Sequence, residues 1–230
     1  MSTTTPLTTQ PPHGERPVPH HAYRRWEAGL AAVLAAALYL PLDTHLTLGP
    51  KWAPILLIGI LLVPIVILQQ AIRRPGGWTP SIKHVRLLAL LVLGILALAE
   101  ASTLGLLILR LPTLKAGGDL FVSAGLLWVI NLLVFALCYW ELDGGGSARR
   151  PPAGCFPTDF LFPQQTDPRL NAGWAPEFVD YLFLAFNTGT AFSPTDTMVL
   201  SRQAKLVMMA QATIALLTIG LVVARGVNII

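Results

Sequence analysis

The sequence predicts an all-α fold: a polytopic transmembrane helical bundle of five long helices plus one short re-entrant or half-helix. Three observations predict it. Only 12% of the 230 residues are Asp, Glu, Lys or Arg, about half the share found in soluble domains. Apolar residues make up 53% of the chain. These residues run continuously over stretches of about twenty, long enough to cross a hydrocarbon core, and they do not alternate as lipid-facing β-strands require. The composition excludes a soluble enzyme, a disordered chain and a disulfide scaffold.

Residues 1–25 are rich in Thr, Pro and His. They have no apolar face to bury and read as a disordered polar tail; His13, His20 and His21 read as solvated. The first apolar segment is Ala28–Leu48. It contains Pro41, Asp43, Thr44 and His45 and lacks a small-residue cleavage site, so an uncleaved first helix is expected. The second is Ala53–Gln70, entered through Pro54 and kinked at Pro64. The third is Leu87–Leu111, the fourth Leu120–Trp140 and the last Gln203–Ile229. Tyr23, Trp26, Trp52, Tyr139 and Trp140 fall at segment ends, where amphipathic rings favour the headgroup layer.

Pro176–Ser193 is different, because its uninterrupted apolar core is only Tyr181–Phe186. Glu177 and Asp180 flank it on one side, and Asn187, Thr188 and Thr190 on the other. Such a segment suits a half-helix buried among longer ones, since non-helical backbone at membrane depth survives only where protein or a water cavity surrounds it. The 141–175 connection carries GGG and PP runs that mark irregular structure. Within it, Phe160-Leu161-Phe162-Pro163 is apolar enough to dock against the helices or the interface. The chain thus divides into a tail (1–25), an N-terminal three-helix region (26–118) and a C-terminal module of helix, long loop, half-helix and helix (119–230).

The polar residues inside these segments are few. Glu100 lies in mid-segment beside Ser102 and Thr103. A carboxylate near the bilayer centre costs at least about 2.5–3.5 kcal/mol on insertion scales, so Glu100 should face another helix or water, or be protonated. Asn131 and Gln211 are its candidate partners. Ser193-Pro194-Thr195-Asp196 reads as a turn that caps the following helix, and the same oxygens could line a solute path. Arg225 lies close enough to the C-terminus to snorkel. Cys138 and Cys155 fit no metal-ligand spacing, and a disulfide between them stays open. None of the common nucleotide, zinc-protease or nucleophile-elbow motifs occurs; Gly144-Gly145-Gly146 is only a weak phosphate-loop candidate. Neither catalysis, a metal, a cofactor nor nucleic acid is expected.

From Asp180 to Asn228 the chain reads DYLFLAFNTGTAFSPTDTMVLSRQAKLVMMAQATIALLTIGLVVARGVN. This order resembles the pore module of the tetrameric cation-channel superfamily. The resemblance makes Leu120–Trp140 the outer helix, Phe178–Phe186 the pore helix, Thr188–Ser193 the filter position and Ala204–Val227 the inner helix. It implies a homo-oligomer in a lipid bilayer, a monovalent cation as passenger, and Asn187, Thr188, Thr190, Ser193, Thr195 and Asp196 as pore-lining or filter-position candidates. The potassium filter T-V-G-Y-G-D is replaced by T-G-T-A-F-S-P-T-D, without the paired glycines, so potassium selectivity is not implied. The whole chain also resembles a family of uncharacterised bacterial polytopic membrane proteins with FPQ and AFSPTDT-type signatures.

Charge sets the expected orientation. The tail, the 71–86 connection and the long connection hold ten Lys and Arg, whereas the two intervening connections hold three. The positive-inside rule then places the tail in the cytoplasm of a cell inner membrane. A non-conducting structural or accessory membrane protein is the main alternative to a channel-like one, and a proton-coupled carrier using Glu100 is a third.

Overall fold

A computed structural model describes residues 25–42, 50, 52–53, 55–56, 59, 82–110, 118–146, 159–167, 169, 174–190 and 196–227. The described chain is helical apart from one small pairing of strands. Its elements are α1 (Arg25–Ala37), α2 (Ile82–Arg110), α3 (Gly118–Leu142), a 3₁₀ turn (Asp143–Gly145), β1 (Phe160–Leu161), α4 (Pro163–Thr166), α5 (Phe178–Thr190), β2 (Met198–Val199) and α6 (Arg202–Val227).

Among the described residues three helices are long and apolar enough to cross a membrane: Leu87–Leu109 in α2, Phe121–Leu142 in α3 and Arg202–Ala224 in α6. Twenty-three helical residues extend about 34 Å at 1.5 Å each, against a core of about 30 Å. The first expected segment is shorter than the sequence suggests. α1 has 13 residues and gives way to a turn over Leu38–Leu42. Pro41 explains the stop, since it lacks an N–H and disfavours helical backbone at the residue before it. The second expected segment, Ala53–Gln70, lies almost wholly outside the described residues, as does the tail apart from Arg25.

α3 is the central element and packs against α1, α2, α5 and α6. From Ile130 to Glu141 every residue except Cys138 is buried. A helix apolar all round belongs in such a position. α6 lies at the other extreme, with only 17% of its span buried against 61% for α3. Its apolar outer face therefore meets whatever surrounds the bundle. α2 packs on α3 with Glu100 opposite Asn131.

The long connection folds back onto the end of α3, as its apolar residues suggest. Phe160 and Phe162 are buried. Phe160 stacks edge-on against Tyr139 and Tyr181 at 5.5 and 6.2 Å, and Phe162 against Tyr181 at 5.4 Å. β1 then pairs antiparallel with β2, Phe160 opposite Val199 and Leu161 opposite Met198, and Leu200 N donates to Asp159 O at 2.9 Å. This pairing is not legible in the sequence, because two residues per strand carry no periodicity. The glycine run is structural: Gly144 (φ 65°) and Gly146 (φ 95°) take left-handed backbone that other residues rarely adopt. Gly144 N donates to Asp159 Oδ2 at 3.1 Å, so this amide is already engaged.

Candidate functional site: the half-helix and the buried polar groups around it

α5 begins on a polar lead-in. Glu177 N donates to Asp180 Oδ2 at 2.7 Å, an acidic third residue reaching back to the cap. Burial raises the Asp180 carboxyl above the usual carboxylate range, and this backbone bond lowers it again. Phe178, Tyr181, Leu184, Ala185 and Gly189 are buried, a helical stripe turned toward α3 and α6. Val179, Phe183 and Phe186 form the exposed apolar edge.

The direction of α5 follows from its contacts. Its first turn lies at the end of α3, where Trp140 meets Phe178 and Tyr181 edge-on at 6.0 and 5.5 Å. Tyr181 also donates to Asp143 Oδ2 at 2.5 Å. Its last turn lies beside the middle of α3. Trp128 stacks on Phe186 at 5.9 Å and donates from Nε1 to Gly189 O at 3.4 Å. By Met198–Val199 the chain is back at the starting end, paired with β1. Residues 178–190 therefore run from one end of α3 to its middle, residues 198–199 stand back at the entry end, and α6 starts from there.

A close approach fixes the inner tip. A side-chain carbon at Gly189 would lie 2.8 Å from Leu132 Cδ2, 3.4 Å from Gln211 Nε2 and 3.8 Å from Asn131 Oδ1. Glycine lets α5 approach α3 and α6 here without displacing the Leu132 side chain. Gln211, fully buried, donates from Nε2 to Ala185 O at 2.8 Å and accepts a short bond at Oε1 from the Tyr139 hydroxyl. One side chain of α6 thus joins α3 to α5. Asn131 donates from Nδ2 to Glu100 Oε1 at 2.7 Å, and both residues are 1% exposed. Of the two partners expected for Glu100, Asn131 is bonded to it, whereas Gln211 serves the half-helix. Ser102 and Thr103 donate to Ala99 O on their own helix, each at 2.8 Å.

The filter-position candidates divide. The sequence suggests that the helix ends at Phe186 and that a turn follows; α5 instead continues through Thr190. Thr188 and Thr190 are thus helical. The Thr188 hydroxyl donates to Leu184 O at 2.9 Å, and that of Thr190 lies 3.0 Å from Phe186 O and 3.2 Å from Asn187 O. Each hydroxyl is satisfied by a backbone carbonyl one turn earlier, in place of the turn bonds such residues make elsewhere. Asn187 is half-buried and Asp196 exposed; Ser193 and Thr195 lie outside the described residues. The cap of α6 is not at 193–196 either. Ser201 Oγ accepts from Ala204 N at 3.1 Å, a signal readable in hindsight as Ser followed by a helical run.

Sequence reasoning misses Tyr39, Tyr139 and the Tyr181–Asp143–Asp159 clasp, in which Asp143 accepts from the Tyr181 hydroxyl and, at 3.2 Å, from Asp159 N. Only the placement of Asp143 just past a long apolar run could have flagged the last. Cys138 is a free thiol; Cys155 lies outside the described residues. No family model, curated protein or solved structure matches the chain.

Proposed function

We propose that the chain is a multi-pass integral protein of a bacterial inner membrane whose C-terminal half is a channel-like module for small cations, active as a homo-oligomer and without catalytic activity. The observation that carries this reading is the course of residues 178–199. A 13-residue helix enters at one end of a long apolar helix, stops at its middle and returns. In a bilayer this is a re-entrant half-helix. Its C-terminal end carries about half an elementary negative charge from the helix dipole, and it points toward mid-depth, where such a charge favours a cation over an anion. With the tail cytoplasmic, the half-helix enters from the cytoplasmic side and the C-terminus lies outside.

A non-conducting accessory role is the second reading, and one observation favours it. Thr188 and Thr190 have acceptors on their own helix, and Gly189 is packed against Leu132. The described part of the tip therefore offers a passing ion few free oxygens. Flux through purified protein in liposomes separates the readings. The channel-like reading expects cation flux above anion flux, altered by Thr190→Val. Liposomes no leakier than protein-free controls to either ion class would leave the accessory role.

A further inference from the structure

We infer that Glu100, Asn131 and Tyr39 form a proton-binding site inside the bundle, filled by one proton on the Glu100 carboxyl. The argument is an accounting of donors and acceptors. Glu100 Oε1 accepts from Asn131 Nδ2, but Glu100 Oε2 and Asn131 Oδ1 are buried without a hydrogen-bond partner. The Tyr39 hydroxyl is buried without one as well, and it lies within electrostatic range of Glu100. All three residues are 1% exposed. Both orphaned oxygens of the Glu100–Asn131 pair are acceptors, and the Tyr39 hydroxyl has one hydrogen to give, so the trio is one donor short.

The Lys and Arg whose side chains are described, Arg169, Arg202 and Lys205, are all exposed. The other titratable group near Glu100 is the Cys138 thiol of α3, which is neutral as a thiol and brings no positive charge. On α6 the buried polar residues are Gln211, already bonded to Ala185 and Tyr139, and Thr218, whose hydroxyl donates to Ile214 O; on α5 Gly189 approaches Asn131 and brings no side chain. Ser102 and Thr103 have spent their hydrogens on Ala99 O. A proton taken up from bulk water supplies the missing donor. It converts Oε2 into an O–H that can donate to the Asn131 carbonyl or the Tyr39 oxygen, and it removes the cost of an unpaired buried charge. The site holds no charge when filled and one negative charge when emptied, so a proton entering or leaving changes the field at the centre of the bundle.

The test is infrared spectroscopy of the purified full-length chain in lipid at neutral pH, wild type minus Glu100→Gln. The glutamine retains the shape and the donor of the filled site. The expected result is a carboxylic-acid carbonyl band present in the wild type and missing from the variant. Titrating the wild type alone to alkaline pH should bleach the same band, which keeps the test independent of the variant's folding. Adding sodium at constant pH should leave the band in place. A wild type without the band at neutral pH would overturn the proposal, because Glu100 would then be ionised and held by water or a metal cation. Loss of the band on adding sodium would likewise replace the proton site by a cation site.

Discussion

Gln211→Leu tests the bolt that joins the half-helix to the rest of the bundle. Gln211 is fully buried and spans three helices, accepting from Tyr139 on α3 and donating to Ala185 O on α5. Leucine of similar volume removes both bonds. Each is worth about 1 kcal/mol net in a folded protein, and the leucine returns part of that by apolar burial. The Tyr139 hydroxyl keeps one other group within reach, Thr188, which limits the penalty for leaving it behind. The net loss should be about 1–2 kcal/mol. The sharper quantity is the coupling in a double-mutant cycle with Tyr139→Phe, read by reversible unfolding in detergent. Interhelical side-chain bonds in membrane proteins average about 0.6 kcal/mol and reach about 1.7. Both partners are fully buried, and the bond should fall in the upper half of that range. Additive single effects, with coupling under about 0.3 kcal/mol, would refute the claim that Tyr139 and Gln211 act as a pair.

Three further outcomes follow from named contacts. Gly189→Val should destabilise by about 1–3 kcal/mol, the usual cost of overpacking, because the first added carbon already meets Leu132 Cδ2 at 2.8 Å; a thermal melt in detergent measures it. Ser201→Ala should cost about 1 kcal/mol through loss of the α6 cap, while Ser193→Ala should cost less, which the same melt compares. Asp180 gives a pH dependence of definite sign. Its carboxyl titrates above the ordinary range when folded, so the folded state holds that proton more tightly than the unfolded chain. Stability from this group is present at low pH and declines as pH rises through the carboxylate range; a stability–pH profile of Asp180→Asn should lack that decline.

The long helices were legible because continuous apolar runs have one physical meaning at these lengths. α2, α3 and α6 stand close to where hydropathy places them. Pro41 lay inside the first run in plain view, yet apolar residues beyond it masked the stop. The Glu100–Asn131 bond was readable because a buried carboxylate in mid-segment must find a partner and few exist. Gln211 is one of two possible partners for Glu100 by sequence and bonds Ala185 and Tyr139 instead, since sequence gives depth along a helix and not the direction of a side chain around it. The last turn of α5 was lost for a related reason: Asn, Thr, Gly and Thr favour turns in isolation, but Thr188 and Thr190 have acceptors on their own helix. The β1–β2 pairing and the Asp143–Tyr181 bond join residues far apart in sequence and leave no periodic mark.

The course of residues 178–199 underlies the whole functional reading, and its two ends are open to direct measurement. Glu177 and Leu200 are both exposed and flank the segment. Single cysteines placed there, in a chain whose Cys138 and Cys155 are replaced by alanine, can be labelled with a membrane-impermeant reagent in sealed vesicles of known orientation. The account predicts that both positions label from the same side. Labelling of Glu177→Cys from one side and Leu200→Cys from the other would make the segment a full crossing, and would contradict the re-entrant half-helix and the channel-like module built on it.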